Sequence, residues 1–313
     1  MRLVLFILLS LGWQSRAAPV TALAFSPDGT VLVSAAGMAV TLRSPMTGEV
    51  ITSLPCEKTR ITSLVFASKG ALLAAGGGIP GEKGEVRLLE WRAKRWLVSH
   101  ATGSDLVTGV AFSPDGKHLS VACMDKIARV FQIEDNGSRL MEVRTLKGHS
   151  GPVSAVAISP DGRTVVTTSL DRSLKVWSAE DGTLIRSLGQ HTEAVHCLAI
   201  SPVAPDHSGA PDTCASGSDD NTVRVWQPVI GRMVRIVRGH GGSVLALAYA
   251  SDGRSLFSAG QEGIVRQIDA DSDAILNEWR TSTDWIHSLA ISPDGKTLAA
   301  GDWTGKVTLL QLK

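Results

Sequence analysis

Apolar and polar residues alternate along most of this chain in short runs, and the runs return. The stretch VTALAF at 20–25 comes back as ITSLVF (61–66), VTGVAF (107–112), VSAVAI (153–158), VHCLAI (195–200), VLALAY (244–249) and IHSLAI (286–291). Each has the length and the β-branched, alternating make-up of a strand with a buried face. A tight turn follows six of the copies: SPDG at 26, 113, 159 and 292, ASKG at 67 and ASDG at 250. Proline presets the first corner, aspartate bonds the backbone ahead of it, and glycine takes the positive φ that closes the turn. The fifth copy carries a longer loop there, SPVAPDHSGAPD (201–212).

One copy shows the whole unit. After VSAVAI come a second strand, TVVTTS (164–169), a third with alternating apolar residues, SLKVW (173–177), and a fourth, TLIRSLG (183–189). This predicts a four-stranded antiparallel meander of about 42 residues, which is the period of a β-propeller blade. The repeats predict an all-β, seven-bladed propeller over residues 19–313, one domain without helices. The seventh copy supplies IHSLAI, KTLAAG (296–301) and KVTLLQL (306–312). Its blade is therefore expected to be three-stranded unless a further strand joins it.

The N-terminus changes the picture. Met1-Arg2 precede the apolar run LVLFILLSL (3–11), with small residues at Ser15 and Ala17. This is the pattern of a signal peptide, residues 1–17, cut after Ala17 and sending the chain to the periplasm or outside the cell. The run is too short to span a bilayer, which takes about 20 residues, so no stable membrane span is expected. A second reading stays open: Leu9–Gln14 align with Glu142–Lys147, a fourth-strand position, so a retained segment would close blade seven in a cytoplasmic protein. If the leader is removed, blade seven offers its edge to a strand donor.

Charge adds an exclusion. With 31 basic against 30 acidic residues, the chain lacks the electropositive excess expected of a nucleic-acid binder. Cys56, Cys123, Cys197 and Cys214 form no CxxC pair, which removes zinc-ribbon, thioredoxin-like and haem-attachment readings. They read as small buried hydrophobes, with Cys197 and Cys214 on adjacent strands about two residues out of opposite register.

Gly148-His149, Gly239-His240 and LGQH (188–191), followed by Val176-Trp177 and Val225-Trp226, resemble the WD-repeat propellers. The resemblance covers about residues 19–313, and the SPDG turns are similar to those of WD propellers in bacterial exported proteins. It implies a hydrogen-bonded tetrad in each well-formed blade: His149, Thr167, Asp171 and Trp177 in blade four, and His191, Ser216, Asp220 and Trp226 in blade five. Blade six keeps His240 and Ser258, with Glu262 for the aspartate and Ile268 for the tryptophan. Blade three keeps Asp125 and has Phe131, while blades one, two and seven have lost most of the set. Histidine, carboxylate and hydroxyl together suggest a catalytic triad, but their repetition in register argues for structure. Trp177 and Trp226 are expected in the core.

The resemblance further implies partner binding through the face that carries the loops before each first strand and between the second and third. Arg60, Asp105, Ser150, Glu193 and Asp284 belong to the first set of loops, and Met124, Leu170, Asp219, Gln261 and Trp303 to the second. Trp285 lies just before IHSLAI, so blade seven offers two tryptophans, a residue type that anchors interfaces. The competing reading packs Trp285 on a neighbour and uses Trp303 to replace the core tryptophan its blade has lost. GGGIPGEKGE (76–85) reads as a glycine-rich loop on the same rim, without the GxxxxGK pattern of a phosphate loop. His196 and His287 sit second in their strands near the central channel, but nothing in the sequence completes a metal site there. Asp28, Asp115, Asp161, Asp252 and Asp294 lie one per blade and form turns.

These features together predict a non-enzymatic scaffold that holds a protein or peptide, with no cofactor, metal or catalytic residue. Two alternatives belong to other classes. One is a propeller enzyme of hydrolase or quinone-dependent dehydrogenase type; the other is an accessory subunit of an exported redox system, with any haem on its partner.

Overall fold

The computed structural model describes residues 17–68, 70–203 and 213–312. Within them the strands form seven sheets, each an antiparallel meander in chain order. Blade one runs Val20–Phe25, Leu32–Ala36, Ala39–Arg43 and Val50–Pro55. Blade four, the best match to the repeat, runs Val153–Ile158, Thr164–Ser169, Leu174–Ser178 and Leu184–Leu188. Blade seven has three strands among the described residues, Ile286–Ile291, Thr297–Asp302 and Val307–Gln311. The expected seven-bladed all-β propeller is the fold found. Among the described residues a single 3₁₀ turn, Asp135–Gly137, interrupts the pattern where blade three passes to its outer strand.

The apolar alternation has a specific destination. Each blade buries residues against the next, so the core is a set of interfaces between blades and not one central mass. Ala74, Val86 and Leu88 of blade two pack with Val107, Leu119 and Phe131 of blade three. Val20, Leu23, Phe25 and Leu32 of blade one pack with Ala290 and Ala299 of blade seven, which closes the ring.

The SPDG turn works as a small hydrogen-bonded unit. In blade four Ser159 Oγ donates to Asp161 Oδ1 at 2.5 Å and accepts the Thr164 amide at 2.9 Å, while Asp161 Oδ1 also accepts the Arg163 amide at 2.9 Å. Gly162 sits at φ +73°, which a side chain would oppose. The same serine–aspartate contact recurs at Ser26–Asp28, Ser113–Asp115 and Ser292–Asp294.

Every inner strand carries an irregularity at the second residue of its repeat copy. In blade four Val153 pairs with Ser169 and Ala155 with Thr168, so Ser154 is bulged out of the ladder. Such a bulge re-aims one side chain. The bulged residues are Thr21, Thr62, Thr108, Ser154, His196, Leu245 and His287, and all line a central channel of about 320 Å³. Thr21 Oγ1 donates to Ile61 O and Thr108 Oγ1 to Val153 O, each at 2.7 Å, and Thr62 bonds Val107 O, clipping each blade to the next. At the closing seam Ser288 Oγ donates to Val20 O at 3.1 Å.

Two expectations need correction. Residues 76–85 are not a loop: Leu72–Ile79 and Lys83–Glu90 are paired strands, and the glycines allow backbones to approach. A Cβ on Gly77 would overlap the Arg60 carbonyl. Cys214 stands opposite Ile200, three positions from Cys197 and not two, because the long loop after Ile200 sets which residue returns opposite it. All four cysteines are buried, and burial pushes the Cys56 and Cys123 thiols up to about 11.

Candidate partner-binding face

The polar residues that recur from blade to blade are spent on holding the blades together. In blade four His149 Nε2 lies 2.8 Å from Thr167 Oγ1, His149 Nδ1 lies 3.0 Å from Asp171 Oδ2, and Trp177 Nε1 donates to Thr167 Oγ1 at 2.9 Å. Blade five repeats this at 2.8 Å (His191–Ser216), 2.7 Å (His191–Asp220) and 2.8 Å (Trp226–Ser216). Each hydroxyl accepts from the indole and donates to the imidazole, whose other nitrogen donates to the carboxylate. Every donor has an acceptor, which is what burial of such groups requires. Trp177 and Trp226 are fully buried. Burial lowers the pKa of His149 and His191 although their carboxylates oppose it. Burial would raise Asp171, but hydrogen bonds from Ser173, His149 and the Ser150 amide hold it well below the usual carboxylate range.

Blade six reaches the same end with other residues. His240 Nε2 is 2.9 Å from Ser258 Oγ, and Glu262 takes the aspartate's place, 3.2 Å from His240 Nδ1. Arg266 enters this site, donating to Glu262 at 2.7 and 3.0 Å and standing 2.8 Å from His240 Nδ1. Burial first, then the Arg266 charge, push His240 down to about 4. Ile268 fills the tryptophan position and is buried. In blade three Asp125 is bound by both terminal nitrogens of Arg129, and Phe131 is buried.

Sequence reading missed the counterpart in blade two. Glu85 is buried, accepting from Arg87 Nε and Ser99 Oγ at 2.6 Å each and Thr59 Oγ1 at 3.0 Å, with Lys83 at 3.0 Å. Burial alone would raise this carboxyl; those donors bring it down to about 2. The only available signal was a glutamate flanked by two basic residues on one strand, Lys83-Gly-Glu85-Val-Arg87. Blade seven uses Asp302, buried and bonded to Ser282 Oγ at 2.7 Å and Thr304 Oγ1 at 2.6 Å.

The opposite situation holds on the loop face. Trp285 is 43% exposed and Trp303 37% exposed, so neither fills the blade core. Their ring centroids are 5.9 Å apart with planes at 54°, and the Trp303 amide donates to Trp285 O at 2.8 Å. His287, bulged toward the channel, lies 5.1 Å from the Trp303 ring and 6.1 Å from that of Trp285. The remaining candidates are dispersed round the ring. Arg60 and Asp219 are exposed; Met124, Leu170 and Gln261 are half-buried. Gln261 Oε1 accepts the Ser243 amide at 3.2 Å, and Asp105 Oδ1 accepts the amides of Gly81 and Leu106 at 2.8 and 2.7 Å. Asp219 Oδ1 lies 2.8 Å from His196 Nε2. Of the sequence-derived set, only the two tryptophans of blade seven are brought together. Among the described residues no group of three or more His, Cys, Asp or Glu is placed to hold a metal ion, and no helix is long and apolar enough to cross a membrane.

Seven radially packed meanders, with polar tetrads inside the blades and variable loops on one face, define a repeat propeller. The chain belongs to the WD40 family (WD domain, G-beta repeat), which matches residues 10–39, 93–132, 141–178, 182–227, 231–269 and 274–309. The longest span outside the match, 40–92, holds the first three strands of blade two, where the buried Glu85 cluster stands in for the tetrad. Similar proteins include the guanine nucleotide-binding protein subunit beta of Arabidopsis thaliana, 27% identical over 226 residues, covering 69% of this chain and 60% of that one. The subunit beta of Zea mays is 25% identical over 256 residues, covering 71% and 67%. Nuclear distribution protein PAC1 of Coccidioides posadasii is 29% identical over 112 residues, covering 35% and 23%. The match to the Arabidopsis subunit thus spans 60% of that relative's length.

Proposed function

We propose that this chain is a non-enzymatic scaffold that holds a protein or peptide partner on its loop face, with Trp285 and Trp303 as the anchor. The observation that carries the reading is the exposure of two adjacent indoles on the loop face. Large aromatic side chains of this kind dominate interface energetics, and burying each would remove apolar surface worth about 1.5–3 kcal/mol. The test is affinity capture from the native host with the full chain and with a Trp285→Ser/Trp303→Ser double variant. A partner captured by the first and lost by the second, with melting temperatures nearly equal, supports the reading. A large fall in stability would return the tryptophans to the core.

A second reading concerns blade seven. Elsewhere an outer strand supports the lower turn of the following blade: Arg144 donates to Glu180 O and Arg235 to Asp271 O. At the seam, the turn at Gly48 meets the third strand of blade seven instead; a methyl there would stand 3.8 Å from Leu309 Cδ1. Met46 in that turn is 76% exposed. We propose that a fourth strand docks in this slot, given by a partner if the chain is exported after cleavage at Ala17. The competing donor, Leu9–Gln14, lies outside the described residues. The N-terminal residue and intact mass of the native protein, by compartment, decide the matter. A start at Ala18 in the exported fraction supports the partner strand, and retention of Met1 in the cytosol overturns it.

A further inference from the structure

We propose that Trp285 and Trp303, floored by His287 and flanked by Asp284, form a seat for a cationic side chain, an arginine, of the bound peptide. The inference rests on reading the loop face as the partner surface and names the chemistry of its anchor.

Three aromatic rings meet here with centroids 5.1–6.1 Å apart and planes tilted by 42–54°. Tilted rings do not cover one another fully, and each indole residue keeps more than a third of its surface exposed. An indole face is the strongest aromatic partner for a cation, and a guanidinium also stacks on it through its own plane. A bare apolar pair would serve an aliphatic anchor equally well; two further features favour charge. The Asp284 carboxylate is held beside the pair, with Oδ1 accepting the Trp285 amide at 2.8 Å. His287 Nε2 is buried beneath the rings with no hydrogen-bond partner among the described residues. Burial lowers the pKa of His287, which favours a neutral ring able to accept a hydrogen bond from a donor entering between the indoles. An unmet polar atom in an aromatic floor suits a guanidinium with its five N–H donors better than a hydrocarbon. Arg60 and His196, which also act electrostatically on His287, are the opposing groups.

The experiment uses the full chain and two isosteric probes, N-acetyl-arginine methylamide and N-acetyl-citrulline methylamide, which differ in charge. Binding is read from the indole Nε1–H resonances of Trp285 and Trp303, assigned with single Trp→Phe variants. The arginine probe is expected to shift both signals and to bind about threefold to tenfold tighter than the citrulline probe, the range that cation–π contacts provide. Asp284→Asn should narrow that ratio, and Arg60→Gln should widen it. Equal binding of the two probes, or shifts confined to other tryptophans, overturns the cationic seat. If capture of a partner still depends on Trp285 and Trp303, that result leaves the interface standing with an apolar anchor. If capture is also independent of them, both readings fall.

Discussion

At the scale of single residues, the decisive contrast is between polar groups that are satisfied inside the fold and rings that are not covered at its surface. Asp171 accepts from His149 Nδ1, the Ser150 amide and Ser173 Oγ. Asp171→Ala would strand those donors, and each buried group left unpaired costs about 1–3 kcal/mol. Asp220→Ala should behave alike, and both should lower the urea midpoint while the folded fraction keeps its partner. Loss of capture at unchanged stability would contradict the structural assignment. The histidines set a pH dependence with a definite sign. His149, His191 and His240 have folded-state pKa values below 6.5, so the unfolded chain takes up protons that the folded one refuses. Their contribution is complete above pH 6.5 and is lost as pH falls, for His240 down to about 4. The lowered carboxylates Asp171 and Asp220 add losses in the same direction at lower pH. Thermal melting from pH 7.5 to 4.5 should show a falling midpoint, and a flat profile would refute this account.

At the scale of strands and turns, close approach matters more than propensity. Gly77 lies in a central strand of blade two, and a Cβ there would overlap the Arg60 carbonyl across the ladder. Gly81 in the adjoining turn has open space around it at φ +72°. Gly77→Ala is therefore expected to disrupt the pairing of Arg60–Phe66 with Leu72–Ile79, whereas Gly81→Ala should cost only about 1–2 kcal/mol of backbone strain. Hydrogen exchange of the blade-two amides separates the two outcomes. The same comparison explains why residues 76–85 look like a loop in sequence. A run of glycines signals turn chemistry, yet here it records backbones crossing too closely for side chains. The glutamate cluster was hidden for a related reason: Glu85 and Ser99 come from two strands and Thr59 from the connection before a third, and no local spacing announces their meeting.

At the scale of the whole molecule, stability depends on closing a ring. Each interface between blades holds its own apolar cluster, so the fold is a cycle of neighbour contacts. The seam between blades seven and one is the point where an additive repeat becomes a closed body. Gly301 of blade seven faces Val20 of blade one, and a side chain there would collide with the Val20 methyl and Ser288 Oγ. Gly301→Val should part the seam, giving a larger radius in solution scattering and early proteolysis near Ala18. A variant of unchanged radius and stability would show that the seam yields without cost.

The sequence alone determined the blade count, the strand order, the turns and the tetrads of blades four and five. Those properties are local and periodic: an alternating strand, a Ser-Pro-Asp-Gly turn and a histidine at a repeated distance carry their meaning within one unit. Tertiary structure decided what depends on contacts between units and on exposure. It bulged the second residue of each inner-strand copy into the channel, assembled the Glu85 and Arg266 clusters, and left Trp285 and Trp303 side by side in solvent. A tryptophan has the same hydrophobicity wherever it stands in a repeat. Whether it is core or anchor is set by what packs against it, and that partner comes from another part of the chain.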